Sequence, residues 1–380
     1  MDWNWKLRKC LSPGKISFFK MNTLVSIVIL NWNGKSNVEQ CLKSLQRISY
    51  KPVEIIVVDN ASSDGSTDFV KKYFPSVRVI SLKKNVGYSG GNNAGIRASR
   101  GKYVLILNND TEVNKRFLES LVNRMELDTS IGCIQPKLLY VSDKNLLNAV
   151  GSFFTSTGFL YHYGYRKQSS RKQYNRSMKI YSAKGAAMLL RKSALEKIGL
   201  FDEDFFIYFE ETDLCHRLWL AGYTVIYEPM SVVYHKEAVD THKQMQEYTI
   251  TYLSFRNRIC SFLMNLDWNH VVSVLPMLLS IYIFLVFYYL VSFRPVLSWA
   301  VISSIVWNIQ EFKKTLKKRH HVQRDIRSVS DSDLFVSIKR DPSPIYYYYS
   351  QLRNHTLLAS KNFSVLTGPT NLFPTIYHSG

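Results

Sequence analysis

The stretch Lys102–Glu112, KYVLILNNDTE, limits the possible folds of this chain more than any other. Tyr103, Val104, Leu105, Ile106 and Leu107 form an unbroken apolar run, the pattern of a strand covered on both faces. The run stops at Asn108-Asn109-Asp110, short polar residues that favour turns and cannot continue a buried strand. In open α/β sheets, ligands bind in the crevice beyond the carboxyl ends of the strands. A carboxylate there, beside two amide side chains, offers hard oxygens to Mg2+ or Mn2+. The same residues also suit a turn that caps a helix over Phe117–Met125. Alone, they leave both readings open.

Three more strands precede this one. Val25–Leu30 is followed by the turn Asn31-Trp32-Asn33-Gly34 and a helix from Ser36 to Leu45; Val53–Val58 ends at Asp59-Asn60. A turn over Ser62–Ser66 leads into a helix through Tyr73, and Val77–Leu82 is the third strand. Asn85–Gly95, NVGYSGGNNAG, is glycine-rich and opens a helix that runs to Ser99. Strands alternating with helices at this spacing predict a parallel sheet with right-handed crossovers. The glycine stretch reads either as a flexible turn or as a set of free N–H groups at a helix start that hold a pyrophosphate. Asp59 reads as a turn former or as an acceptor for the ring N3–H of uracil or thymine, a proton that cytosine lacks.

Downstream, Gly151–Tyr165 is aromatic and reads as a hairpin, and Lys167–Lys179 as a basic surface loop. Gly185–Leu190 is a strand, and Ser193-Ala194-Leu195-Glu196 has the form of a capping box opening a short helix that stops at Gly199. Phe205–Arg217, FFIYFEETDLCHR, places Glu210, Glu211 and Asp213 at the start of a helix ending near Gly222. Acids suit a first helical turn in any case. Asp213 has a ready partner four residues on, Arg217. Glu210 and Glu211 follow an aromatic run instead, and an apolar wall raises a carboxyl pKa toward the range of a general base. Val232–His235 is a short strand ending in a histidine that, alone, suits packing as well as ligation.

The 380 residues carry a formal charge of +20, which calls for an anionic partner: nucleic acid, an anionic membrane or a phosphorylated substrate. No zinc-finger, RNP or helix-turn-helix pattern appears, so nucleic acid is disfavoured. Five scattered cysteines without a CxxC argue for a reducing compartment and against a zinc site. Residues 1–23 are basic and aromatic and read as an interfacial anchor or as an overlong start ahead of Met21. Val271–Phe293 is long and apolar enough to span a bilayer; after Arg294-Pro295, Val296–Ile309 is a shorter apolar run. Lys313–Arg327 then holds Lys313, Lys314, Lys317, Lys318, Arg319, Arg324 and Arg327. These features predict a membrane hairpin with both ends cytoplasmic, a platform lying in the interface, or a hairpin buried in a core. The expected units are an extension over 1–23, a catalytic domain over 24–240, membrane-associated helices over 241–312, and a basic run and polar tail over 313–380.

Together, VSIVILNWNG, VVDNASSDGS, NVGYSGGNNAGI, LNNDTEV and FFIYFEETDLCHRL resemble, in order and spacing, the family 2 glycosyltransferases. The likeness is strongest to the bacterial rhamnosyltransferase-type branch that builds surface polysaccharides. The resemblance spans about Leu24–Ala238 and implies an α/β GT-A fold, with a Rossmann-like, mostly parallel sheet flanked by helices. It implies a nucleoside-diphosphate sugar, of uridine or thymidine, held by Asn33, Asp59, Gly87 and Asn93. It also implies a divalent ion at Asp110 and His235 and a catalytic base at Glu211. The first acid of the family's DxD motif is Asn108 here, which lowers the charge of that site. The QxxRW motif of processive synthases is absent, so one sugar or a few are added, with inversion, to a lipid-linked acceptor at the cytoplasmic membrane face. A sugar-nucleotide pyrophosphorylase is the alternative enzyme, but its basic glycine loop should follow the first strand, where NWNG stands.

Overall fold

The computed structural model describes residues 23–236 and 245–342. The anchor expected over 1–23 falls, but for Thr23, outside the described residues, as does the tail beyond residue 342. The chain opens with β1 (Val25–Asn31), α1 (Lys35–Leu45), β2 (Val53–Asp59), α2 (Ser66–Tyr73), β3 (Arg78–Ser81), α3 (Gly87–Ala98) and β4 (Tyr103–Asn108). These four strands pair in parallel in the order β4-β1-β2-β3, as the alternating pattern predicts. β4 is buried on both faces. Val104 and Ile106 join one hydrophobic cluster, and Tyr103, Leu105 and Leu107 the other.

Next come β5 (Thr111–Val113), α4 (Phe117–Leu127), β6 (Ile131–Tyr140), β7 (Leu147–Ala149), β8 (Gly151–Phe153), β9 (Tyr161–Tyr163), β10 (Met178–Lys179), β11 (Ala187–Arg191), α5 (Lys192–Ile198), α6 (Glu210–Leu220) and β12 (Thr224–His235). β11 runs antiparallel between β4 and β6, β12 lies parallel to β6, and β10 closes that edge. The sheet is thus parallel over its first half and mixed beyond it. β8 and β9 form the expected hairpin.

The glycine stretch opens the expected helix: α3 begins at Gly87 and contains Gly90, Gly91 and Gly95, so the flexible turn does not form. A Cβ on Gly91 would overlap Leu30 and one on Gly95 would overlap Val28, so these glycines let the helix seat closely on β1. Tertiary packing here overrides poor helix propensity. The capping box does not form either: Arg191 is the residue before α5, and no side chain caps it. The 108–110 turn does not cap α4, whose preceding residue is Arg116; it leads into β5.

The C-terminal helices are α7 (Glu247–Asn265), α8 (Trp268–Val291), α9 (Pro295–Gln310), α10 (Phe312–His321) and α11 (Asp331–Ile338). All but α10 share one hydrophobic cluster with a face of the sheet. Among the described residues, α8 is the one helix long and apolar enough to cross a membrane. One stripe of it (Val271, Val274, Leu278, Tyr282, Leu285, Tyr289) is buried in that cluster. Tyr282 lies against Phe255 and Phe159, with ring centroids 4.3 and 6.2 Å away. Moving α8 into a bilayer would bare Phe159, Phe255 and Phe262 to water, each worth roughly 1.5–3 kcal/mol of burial. The basic run is partly structural as well. Lys318 pairs with Asp202 and Asp204, Arg319 donates to the carbonyls of Leu263 and Leu266, and Arg327 pairs with Asp331.

Candidate active site

The ends of the parallel strands stand level, with Asn31 beside Asp59 and Leu30 beside Asn108. From β1 the chain builds outward to β2 and β3, then returns to β4 on the other side of β1. That reversal opens a crevice between β1 and β4, the usual ligand position in such sheets. Asn109 Nδ2 donates to Asn31 Oδ1 at 2.9 Å across it. Asp59 is buried; its Oδ2 accepts the Ser62 N–H at 3.2 Å, while Oδ1 has no protein partner. Asn33, at φ 49°, accepts the Ser63 N–H at 2.8 Å and donates its own N–H to Ser62 Oγ at 2.9 Å. Asn33 and Asp59 thus hold one turn from both sides.

Gly87 and Asn93 both have structural duties in the fold. A Cβ on Gly87 would collide with the Phe206 carbonyl and ring, and its φ is +74°. This glycine lets the segment before α6 lie against α3. Asn93 accepts the Phe201 N–H at 3.1 Å and donates to the Phe201 carbonyl and to Glu203. Its amide ties α3 to that same segment.

β5 pairs antiparallel with β12, opposing Thr111 and His235, so Asp110 meets the histidine. Asp110 Oδ1 lies 3.2 Å from His235 Nε2; both atoms are buried and neither has a hydrogen bond. Asn148 explains why. Its Oδ1 lies 3.1 Å from Lys184 Nζ and 3.0 Å from His235 Nδ1. An ammonium only donates, so the shared amide atom is oxygen, and Nδ1 carries the ring proton. In the neutral ring, Nε2 then aims a lone pair at a carboxylate. Two facing acceptors call for a cation, and a histidine whose other nitrogen donates to an oxygen is the usual metal-ligand arrangement. The residues fit a divalent ion. Burial pushes the Asp110 carboxyl up, but the charge and Nε2–H of a protonated His235, backbone N–H donation and Lys184 outweigh it and hold it below the usual range; a divalent ion between the two would take the place of that proton.

The segment before α6 is bent through Phe206, Tyr208 and Phe209, at φ 63°, 72° and 71°. Such left-handed conformers are rare for bulky residues and persist where surrounding contacts over-determine them. Here Asn257 Nδ2 on α7 reaches the carbonyls of Phe205, Ile207 and Tyr208 at 2.9, 3.0 and 2.7 Å, and Ser89 N–H reaches that of Phe206 at 3.0 Å. The result fixes the start of α6. Glu210 is buried, and burial together with the neighbouring Glu211 charge pushes its carboxyl well up. Glu211 is partly exposed; burial raises its pKa to about 7, against backbone N–H donation and Lys184. One carboxyl is thus sealed and neutral, and its neighbour is poised to titrate near neutrality. Asp213 pairs with Arg217 at 2.8 Å, as its spacing predicts, and also accepts from Ser261 and Asn265. It is structural.

Lys184, Asn148, Tyr88 and Asn257 escaped the sequence reading. Tyr88 donates to the Gly185 carbonyl at 2.7 Å, and its hydroxyl feels the charges of Glu210 and Glu211. A lone lysine directly before the buried GAAMLL strand was the one available signal; Asn148 and Asn257 sit in apolar and helical surroundings that give none. A second acidic group, Asp267, His270 and Asp331, is a hydrogen-bonded joint: Asp267 caps α8, and Asp331 accepts from Arg327 and the Asp267 N–H.

Comparison with known proteins bears on the family and the fold. Residues 26–199 match the family model described as glycosyl transferase family 2. The Haloferax volcanii low-salt glycan biosynthesis hexosyltransferase Agl10 is 29% identical over 241 residues, 62% of this chain and 74% of that one. The Mycobacterium tuberculosis N-acetylglucosaminyl-diphospho-decaprenol L-rhamnosyltransferase is 26% identical over 247 residues, 58% of this chain and 78% of that one. Among solved structures, GalNAc-T7 with UDP, GalNAc and Mn2+ superposes with a TM-score of 0.52 at 16% identity. That match covers 64% of this chain and 48% of the other, and it speaks for the fold. The chain carries a family 2 glycosyltransferase domain over residues 26–199.

Proposed function

We propose that this glycosyltransferase moves one hexose, with inversion, from a uridine or thymidine diphosphate sugar to a hydroxyl of a lipid-linked glycan at the cytoplasmic face of the cell membrane. Rhamnose is the sugar we favour, because one relative is a rhamnosyltransferase, whose named acceptor is N-acetylglucosaminyl-diphospho-decaprenol. The observation that supports the reading is the facing Asp110–His235 pair, with the Lys184 charge felt at both Asp110 and the raised carboxyl of Glu211. Asp59 Oδ1, which has no protein partner, would accept the base N3–H. Asp110 and His235 would hold Mg2+ or Mn2+, which supplies Lewis-acid stabilisation of charge on a departing diphosphate. Glu211 takes the proton of the acceptor hydroxyl as that oxygen attacks the anomeric carbon. A single displacement on the opposite face inverts that carbon.

For the membrane, the helical platform is favoured over a spanning hairpin, because one side of α8 is fixed in the protein core. Its other side, with the neighbouring turn and α9, exposes Phe284, Phe287, Leu290, Phe293, Val296 and Trp299. Exposed Lys313 and Lys317 follow on α10. An apolar face beside lysines suits insertion into an anionic lipid surface. The site reading is tested with Asp110→Ala. Metal-dependent binding of UDP or dTDP should disappear while the thermal melt of the free protein holds. Transfer that persists in EDTA would remove the metal role.

A further inference from the structure

Where the family pattern has an acid, this chain has Asn108, and a cation stands close by. Lys184 lies three residues before β11, whose first residue, Ala187, pairs with Leu107 of β4. Asn108 N–H donates to the Ala186 carbonyl at 2.9 Å, so the 184–186 segment flanks the end of β4. Tyr88 pins the same segment through the Gly185 carbonyl, and the Lys184 N–H donates to Gln135 Oε1 at 2.7 Å. The ammonium is anchored on Asn148 Oδ1, the atom that also receives the His235 ring proton. Lys184 is therefore held one amide away from the Asp110–His235 pair, and it is partly exposed. Its charge is felt at both Asp110 and Glu211, which places it between the two halves of the site.

Resting on the glycosyltransferase reading, we propose that Lys184 is a built-in cation for the departing nucleoside diphosphate, sharing with the divalent ion the neutralisation that the Asn108 substitution weakens. The charge balance supports this. Losing a carboxylate at Asn108 lowers the pull on a divalent ion, and a fixed ammonium beside Asp110 and His235 repels that ion further. The same ammonium attracts a diphosphate oxygen directly, through a charge-assisted hydrogen bond made in a partly water-excluded site. As the bond from the anomeric carbon to the diphosphate breaks, the electron pair stays on the phosphate oxygen. Lys184 stabilises that negative charge without giving up its proton.

The test measures UDP and dTDP affinity of the full chain by calorimetry, in EDTA and in excess Mn2+, for wild type, Lys184→Met, Lys184→Arg and Asn108→Asp. Mn2+ affinity without nucleotide is measured in parallel. Wild type should bind nucleotide in EDTA. Lys184→Met should lose about 10–100-fold of that affinity, the worth of one charge-assisted bond, and lose less in Mn2+. Lys184→Arg should recover most of it. Lys184→Met and Asn108→Asp should both bind Mn2+ more tightly than wild type, a gain that a merely structural lysine would not give. Unchanged nucleotide affinity of Lys184→Met in EDTA, or weaker Mn2+ binding by that variant, overturns the proposal. If wild type binds neither nucleotide in either condition, the uridine or thymidine donor reading falls and takes this inference with it.

Discussion

Replacing Glu211 by glutamine keeps the size of the side chain and removes the oxygen that must accept a proton. General-base catalysis is worth about 10²–10⁴-fold, so turnover should fall by that factor. Donor affinity should hardly move, because Asp59, Asp110 and His235 lie on other elements: the end of β2, the turn between β4 and β5, and the end of β12. The pH dependence sharpens the test. The Glu211 carboxyl titrates at about 7, and its charged form is the base, so activity rises with pH through that value. One group titrating there predicts an increase of about tenfold in kcat/KM from about pH 6 to pH 8. Glu211→Gln should flatten that limb. Glu210→Gln should keep it, because the buried Glu210 is already held neutral and its neutral isostere changes little. Initial rates of nucleoside diphosphate release across pH, for the three proteins, decide the matter. The assignment of Glu211 is wrong if both variants are equally impaired, or if Glu211→Gln retains the inflection.

Three further outcomes follow from the packing. Asp213→Ala leaves Arg217 buried without its carboxylate partner and should destabilise the fold by about 3–5 kcal/mol, visible as a lower denaturation midpoint. Gly87→Ala combines a φ of +74° with a collision against Phe206, so it should destabilise by roughly 1–3 kcal/mol and lower kcat more than donor affinity. Substituting serine for Phe284, Phe287 and Phe293 together should release the protein from anionic vesicles in a flotation assay without changing its melt, since all three rings are exposed; retention on the vesicles would shift attachment to another surface.

The parallel half of the sheet was legible because its signal is local: an apolar run, a polar break and a helix, repeated. Asp110 was legible for the same reason, since Asn108-Asn109-Asp110 interrupts a strand that has nowhere polar to go. His235 gave no such signal in itself, because its meaning depends on the β5–β12 pairing that sets it opposite Thr111. The helix that the glycine stretch opens was legible, but what its missing side chains make room for was not, since Leu30, Val28 and Phe206 are all distant in the chain. Lys184 and Asn148 work through a shared oxygen that only the folded chain assembles. The C-terminal helices read as a membrane hairpin because apolar length does not say which side of a helix is covered. In α8, the buried stripe faces the core and the remainder faces outward.

The central claim is tested most directly by a screen of nucleotide sugars against the purified full chain, with a polyprenyl-linked glycan extract and Mg2+ or Mn2+. Release of nucleoside diphosphate and appearance of the glycosylated lipid are scored together. The account predicts turnover with a uridine or thymidine diphosphate hexose, product of inverted anomeric configuration, and loss of both signals in Glu211→Gln. Turnover of a guanosine donor alone would contradict the role given to Asp59, and a retained anomeric configuration would contradict the mechanism. Donor binding without transfer to any acceptor would contradict the catalytic claim itself.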